Sequence, residues 1–319
     1  MTMRADLHLH SDHSGLKHLE FLKMRDCYTP PVEVYKRAKA RGMDLVTLTD
    51  HDTIDGCLEI RERLDDPDDF FMSEEVETFL PGRRSMHIGV FGITEAQHHE
   101  IQKIRGDYED LVAYLEEQRI PSALNHLFRG YRPGMDVEEY LIPLVRRFQL
   151  YETRNGTQSE TYRRLTTESI GRLRGRARQR PGETGGSDAH TLLRAGRTWT
   201  ECEATDRDSF LAALSEGRSV AGGEDGELLP LARDVYAIIF SYYGQLFGRT
   251  RVRFETLGQR LPGALFCAAT LPTHLIGFPL ICTGVNQLAK RVGLQRIESA
   301  LARVSEPLEI EVTEAEVEV

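Results

Sequence analysis

The stretch Arg4-Ala5-Asp6-Leu7-His8-Leu9-His10 alternates apolar and polar side chains and reads as a β-strand ending in two histidines. A strand turns successive side chains to opposite faces, so His8 and His10 project to the same side and can grip one cation. Two clusters of the same kind follow. Thr49-Asp50-His51-Asp52-Thr53 closes a strand-like run that starts at Leu45, and Gly186-Ser187-Asp188-Ala189-His190 closes another that starts at Glu183. So many ligand-type residues at strand ends point to a multinuclear metal site.

Outward from these clusters, short apolar runs alternate with helical patterns. Strands are expected at Arg4 to His10, Leu45 to Thr49, Phe70 to Val76, His87 to Ile93, Ser122 to Leu124, Phe148 to Glu152 and Glu183 to Ser187. Helices are expected at Pro31 to Arg41, Tyr108 to Gln118, Val137 to Arg147, Glu160 to Arg178 and Arg207 to Glu216. This alternation predicts an α/β fold with a mainly parallel sheet, open or closed into a barrel, whose chemistry gathers at the carboxyl ends of the strands.

The candidate ligands fall at those ends. His8 and His10 close the first strand, His51 follows the second, Glu75 the third, and His126 follows Ser122-Ala123-Leu124-Asn125; His87 lies on its own strand, and Asp188 and His190 follow the last. A single histidine is usually a surface or satisfied core residue, but six of them at strand ends with two acids reverse that expectation. Mixed imidazole and carboxylate ligands suit zinc, manganese or iron. Two such ions close together are a recurring device for phosphate ester hydrolysis, because they bind phosphate oxygens and lower the pKa of a shared water. Ser73-Glu74-Glu75-Val76-Glu77 offers three acids: 75 and 77 share a face and 74 points the other way, with Glu77 the alternative to Glu75.

With 319 residues, 40% hydrophobic and 28% charged, the chain has the composition of a globular protein with a sizeable core. Its net charge of −10 argues against general nucleic-acid binding, which draws on clustered cations. The five cysteines are scattered without a Cys-x-x-Cys pair and read as reduced thiols of a cytoplasmic protein. Met1 runs almost directly into the first strand, so no export signal is expected.

The quoted motifs resemble the polymerase and histidinol phosphatase (PHP) superfamily over about residues 4 to 222. They are Asp-Leu-His-Leu-His-Ser at 6–11, Leu-Thr-Asp-His-Asp-Thr at 48–53, an acid after the third strand, and Gly-Ser-Asp-Ala-His at 186–190. The resemblance implies a distorted (β/α)7 barrel with two or three divalent metals at its mouth. By position it implies one site from His8, His10, Glu75 and Asp188, a second sharing Glu75 and completed by His87 and His126, and a third served by His51 and His190. Asp188 and His190 would take part in catalysis. One departure stands out: three-metal members carry Ser-Asp shortly after His-x-His, where this chain has Ser14-Gly15. Asp12, His13 and His18 are the substitutes within reach, and the insert from Lys17 to Thr29 is expected to shape the pocket mouth.

Phosphate also needs cations, and arginine supplies planar bidentate donors. Arg129, Arg132, Arg154, Arg194 and Arg197 follow ligand positions, with Arg197 the candidate for steadying phosphate oxygens; most of the others are expected to pair with surplus carboxylates. Arg172, Arg174, Arg176, Arg178 and Arg180 read as a solvated helix.

Residues 1–225 thus form the expected metal-dependent domain, 226–305 a helical appendage and 306–319 an acidic tail. From Leu261 to Ala289 there is no charge, a length that would span a bilayer. Pro262, Pro272 and Pro279 interrupt it, so a helical hairpin buried against the barrel is expected, with membrane insertion or peripheral membrane contact through 261–289 as the alternatives. The expected function is metal-dependent hydrolysis of a small phosphorylated metabolite or nucleotide. A non-catalytic module of the same fold is the alternative, and so is an amidohydrolase, although such barrels carry a metal-bridging lysine with no counterpart located here.

Overall fold

In a computed structural model of the chain, residues 1–15, 21–132, 134–173, 181–252, 254 and 256–303 are described. Their strands are β1 (Thr2–Ala5), β2 (Ser73–Leu80), β3 (Arg84–Phe91), β4 (Ser122–Asn125), β5 (Leu150–Asn155), β6 (Gly182–Gly186), β7 (Thr198–Glu203) and β8 (Ser219–Gly223). The helices are α1 (Pro31–Ala40), α2 (Asp55–Arg63), α3 (Glu95–Ile104), α4 (Tyr108–Glu117), α5 (Val137–Arg147), α6 (Glu160–Leu173), α7 (Arg207–Ser215), α8 (Leu228–Leu246), α9 (Leu257–Leu275) and α10 (Phe278–Leu301).

The fold is mixed α/β, with two sheets ordered β2-β3-β4-β5-β6 and β1-β7-β8. Only β4-β5 and β5-β6 pair in parallel; β2-β3, β3-β4 and both pairings of the smaller sheet are antiparallel. This corrects the expectation of a mainly parallel sheet. Residues 81–83 alone join β2 to β3, with Gly82 at φ +80°, and three residues make a hairpin where a parallel crossover needs a dozen.

The two sheets do not join into one closed sheet among the described residues. They are laced together by single bridges, Leu9 with Ala189, Val46 with Phe70 and His51 with Glu75, all parallel. Thr49 N donates to Leu9 O at 2.8 Å, and Glu75 N to Asp50 O at 3.2 Å. The expected strand at Leu45 to Thr49 therefore exists as an extended connector without a ladder, yet it carries His51 to the edge of β2. Helices α2 and α3 were not expected from periodicity; α3 starts at a capping box in which Thr94 and Gln97 bond each other's backbone.

The main core gathers Leu48, Ile60, Val76, Ile88, Leu124 and Tyr151. Leu294, Ile297 and Leu301 from the end of α10 belong to it as well. Helix α8 is fastened by Tyr242, whose hydroxyl donates to Leu22 O at 2.9 Å within a smaller cluster that includes Leu246 and Cys267.

The expected buried hairpin at 261–289 is not what forms. Helices α9 and α10 meet at a 75° bend, and Leu261, Leu265, Leu275, Ile276, Ile281 and Val285 are exposed. Each helix buries one narrow face, Gly263 and Cys267 on α9 and Leu294 and Ile297 on α10, and a single layer leaves the rest of an apolar helix uncovered. No single described helix is long and apolar enough to cross a membrane, whereas the bent pair meets that test by length and composition. The tail 306–319 and Arg174, Arg176, Arg178 and Arg180 lie outside the described residues.

Candidate metal centre

Two buried aspartates set the frame on which the ligands hang. Strand β1 ends at Ala5 and not at His10 as expected, and in the extended segment that follows, Asp6 accepts from Ser187 N (2.8 Å), Ser187 Oγ (2.5 Å) and Gly196 N (2.8 Å), which locks that segment to the Gly-Ser-Asp motif. Burial pushes its carboxyl up to about 6 against the pull of these donors. Asp50 accepts from Ser11 N and Ser11 Oγ, both at 2.6 Å, and fixes the connector against the turn after His10. A Cβ on Gly186 would lie 2.2 Å from His8 Cβ and 2.7 Å from His8 N, so only glycine lets these segments approach. Gly186→Ala is expected to destabilise the fold by about 1–3 kcal/mol through overpacking, measured as a lower melting temperature with loss of bound metal.

Within that frame Glu75 is fully buried and ringed by imidazoles. Its Oε1 stands 3.2 Å from His8 Nε2, 3.0 Å from His87 Nδ1 and 3.4 Å from His126 Nε2. Its Oε2 stands 3.0 Å from His51 Nδ1 and 3.8 Å from His10 Nε2. Asp188 closes the other side, with Oδ1 3.6 Å from His8 Nε2, 3.5 Å from His10 Nε2 and 3.7 Å from His190 Nδ1. The structure thus brings His8, His10, His51, Glu75, His87, His126, Asp188 and His190 to one place. The alternation of β2 turns Glu74 away to His98 and Gln102, while Glu77, on the same face as Glu75, is taken up by Ser85 Oγ of β3.

Several of these close approaches are not hydrogen bonds. His8 Nε2, His10 Nε2, Glu75 Oε2 and His87 Nδ1 are buried without a hydrogen-bond partner. Buried polar atoms without partners are costly, and atoms of this chemistry facing a common point fit divalent cations. Four overlapping sets place their ligand atoms within 4.8 Å of one another: His10, His51 and His190; His8, His10 and Asp188; His8, His126 and Glu152; and His51, Glu75 and His87. Burial opposes charge on Glu75, but His8 and His87 outweigh it and hold the carboxyl well below its ordinary range. Burial, with His190 and His51 alongside, holds His10 well below the ordinary imidazole range, in the neutral form that binds metal.

Two acids of this centre were missed in the sequence. Glu152 Oε1 lies 2.6 Å from His8 Nδ1 and its Oε2 3.2 Å from His126 Nδ1, which turns the Nε2 atoms of both rings toward Glu75. Its position as the final residue of the expected strand Phe148 to Glu152 was the available signal. Asp26 is the second: its Oδ2 stands 3.7 Å from His51 Nε2 and 3.9 Å from His190 Nε2, and its Oδ1 is buried without a partner. Nothing in its local sequence marks it. Arg25 pairs with Gly15 in an antiparallel bridge, and a Cβ on Gly15 would meet Arg25 Nη1 at 3.2 Å. Of the substitutes named for Gly15, Asp12 is engaged by Arg251 at 3.1 Å and His13 faces Glu59 at 3.1 Å, while His18 lies outside the described residues.

Of the candidate arginines, Arg154, Arg194 and Arg197 pair with Asp225, Asp234 and Glu224, as expected of most of them, and Arg197 is thereby turned away from the phosphate role named for it. Arg197 is exposed and committed to Glu224 (2.8 Å) and Leu193 O (3.0 Å), because the bend after His190 turns its side chain outward. Arg194 is buried against Gly156 O, and Arg154 donates to Gly223 O at 2.6 Å. Arg129, one of the candidates, is joined beside the centre by two cations not named from the sequence. A cavity of about 660 Å³ opens beside His126 and Asp188, and Arg129, Lys290 and Arg296 line it with Tyr162. Lys290 and Arg296 belong to α10, so the appendage supplies one wall of the pocket. Burial lowers the Lys290 pKa, and Asp188 works against that shift. The five cysteines are all free, and Cys282 alone is exposed.

Comparison with known proteins adds a family and a fold. Residues 177–219 match the family described as PHP-associated. Over 60 residues the chain is 40% identical to MJ1587 of Methanocaldococcus jannaschii; the match takes in 19% of this chain and 35% of that protein, so the chain spans about a third of this curated relative's length. PsfC from Pseudomonas syringae PB-5123 superposes with a TM-score of 0.51 at 18% identity, over 75% of this chain and 97% of that one. An amidohydrolase from Chromobacterium violaceum gives 0.43 at 19% identity over 58% and 87%. At 18% identity the likeness to PsfC speaks to fold alone.

Proposed function

Because this chain carries a PHP-superfamily domain, we propose that it is a metal-dependent hydrolase acting on phosphate esters, built on a distorted (β/α)7 barrel. The observation that carries the reading is the ring of buried, unpartnered ligand atoms around Glu75, set beside a cavity that Arg129, Lys290 and Arg296 line together with Asp188. When bound, divalent ions supply Lewis acidity toward phosphoryl oxygens and a water of lowered pKa.

His8, His10, Glu75 and Asp188 would hold one ion, Glu75 with His87 and His126 a second, and His51, His190 and Asp26 a third. Glu152 keeps His8 and His126 turned inward. Arg129, Lys290 and Arg296 draw the phosphate dianion into the cavity and neutralise charge that builds on its oxygens. Water oxygen joins phosphorus as the ester P–O bond breaks, and the alcohol leaves with a proton.

The test is turnover of a panel of phosphomonoesters and diesters by the full chain, after chelation and return of manganese, zinc or iron singly. Hydrolysis restored by metal supports the reading. Bound metal without turnover of any member would assign the fold to a non-catalytic role, and turnover of amides instead would move the activity to carbon–nitrogen bonds. Asp26 has its own test: Asp26→Asn is expected to lower the tightly bound metal from three ions to two per chain, read by elemental analysis, while Asp12→Asn keeps three. Three ions in the Asp26 variant would remove it from the ligand set.

A further inference from the structure

Beyond the metal cavity lies a second one of about 490 Å³, and the two share Thr157 and Lys290 as lining residues. The second runs between α8 and α10, with Leu231, Val235 and Ile239 on one side and Phe278, Pro279 and Cys282 on the other. Its far end reaches His274 and Phe278, which flank the α9–α10 bend. A path therefore leads from Asp188 past Lys290, along an apolar groove, to the most exposed apolar residues of this region.

Those residues form stripes. On α9, Leu257, Leu261 and Leu265 follow at intervals of four; on α10, Phe278, Ile281, Val285, Leu288 and Val292 follow at three or four, all exposed. Leu275 and Ile276, at the bend, are 69% and 79% exposed. Exposed apolar residues at helical spacing on two adjoining helices have the form of helices seated at a lipid interface. Charge points to the same occupant. From Leu228 to Ile297 there are eight Lys and Arg against two acids, in a chain whose net charge is −10. Arg249, Arg260, Arg291 and Arg296 flank the uncharged stretch on both sides and are exposed, the arrangement that anionic lipid headgroups attract.

We propose that the substrate is an amphiphilic phosphate ester drawn from an anionic membrane surface. Its phosphate lies at the Asp188 end between Arg129 and Lys290, its apolar chain occupies the groove between α8 and α10, and the α9–α10 bend rests in one leaflet. This rests on the hydrolase reading for its chemistry, and binding can be tested apart from turnover.

Two measurements on the full-length, manganese-loaded protein decide it. In flotation with vesicles of phosphatidylcholine and phosphatidylglycerol in a three-to-one ratio, the protein should rise with the vesicles, and a Leu275→Glu/Ile276→Glu variant should stay below. In calorimetry, decyl phosphate at submicellar concentration should bind at least about tenfold more tightly than ethyl phosphate through burial of its chain. Ile239→Trp, which fills the groove, should remove that preference. Equal affinities for the two esters overturn the proposal whatever the turnover. A protein that ignores vesicles and instead self-associates through the stripes overturns it too. A decyl preference without hydrolysis of either ester keeps the amphiphile site and rejects the hydrolase reading; hydrolysis of ethyl phosphate without a preference does the reverse.

Discussion

His8→Ala combined with His10→Ala is expected to strip the first metal site and lower turnover by at least about 10³-fold, while the protein keeps its fold. Both side chains are buried, but they face the centre and not the apolar core, and neither Nε2 atom has a hydrogen-bond partner to lose. The main liability is Glu152, which loses His8 Nδ1 yet keeps Asn155 Nδ2 at 2.9 Å and His126 N at 3.3 Å. Elemental analysis after chelation and controlled metal return, together with circular dichroism, reads both halves of the expectation. Undiminished turnover in a well-folded double variant would sink the metal mechanism.

Glu75→Gln is expected to be almost as severe, with turnover down by about 10²–10³-fold and at least one ion lost, because the shared carboxylate compensates charge at two sites at once. Glu77→Gln and Glu74→Gln serve as controls. Glu77 sits on the same face two residues further along but is engaged by Ser85, and Glu74 holds His98 on the opposite face, so neither should change metal content. A loss of metal in Glu77→Gln equal to that in Glu75→Gln would reassign the acid.

The metal-free protein adds a pH signature. The carboxyl of Glu75 is held well below its ordinary range, so its contribution to stability is present above the ordinary carboxylate pKa and is lost as pH falls through the lower folded value. Replacing it should reduce chelated-protein stability at neutral pH and flatten the acid limb of a melting-temperature profile. A profile unchanged by Glu75→Gln would mean that the surrounding imidazoles are neutral.

How much of this was legible in the sequence follows from the range of the forces involved. Period-two alternation and the local ligand pairs pick out His8, His10, His51, Asp188 and His190, because a strand or a tight turn by itself sets which side chains share a face. Glu75 could be separated from Glu74 by the same alternation. Separating it from Glu77 takes β3, whose Ser85 occupies the second acid while His87 meets the first. Helix positions such as Pro31–Ala40 and Val137–Arg147 were readable from proline, caps and apolar spacing.

Sheet direction was not readable in the same way. A three-residue hairpin at 81–83 and the bridging role of residues 45–51 depend on which partner each edge meets, and pairing partners are chosen across long sequence distances. The same holds for Asp26, Glu152 and Lys290. Asp26 and Lys290 carry no local signal and Glu152 only its place at a strand end, and each reaches the centre because a loop, a parallel strand or the final helix is folded against it.

The sequence alone therefore determined that this chain is an α/β protein with imidazole and carboxylate ligands at strand ends, since those properties follow from local backbone periodicity. Tertiary structure decided which acid stands among the imidazoles, which cations face the cavity, and that the uncharged stretch 261–289 lies outward instead of buried. Those outcomes depend on packing among elements distant in the chain, where burial of one face by a neighbour determines what the other face is left to do.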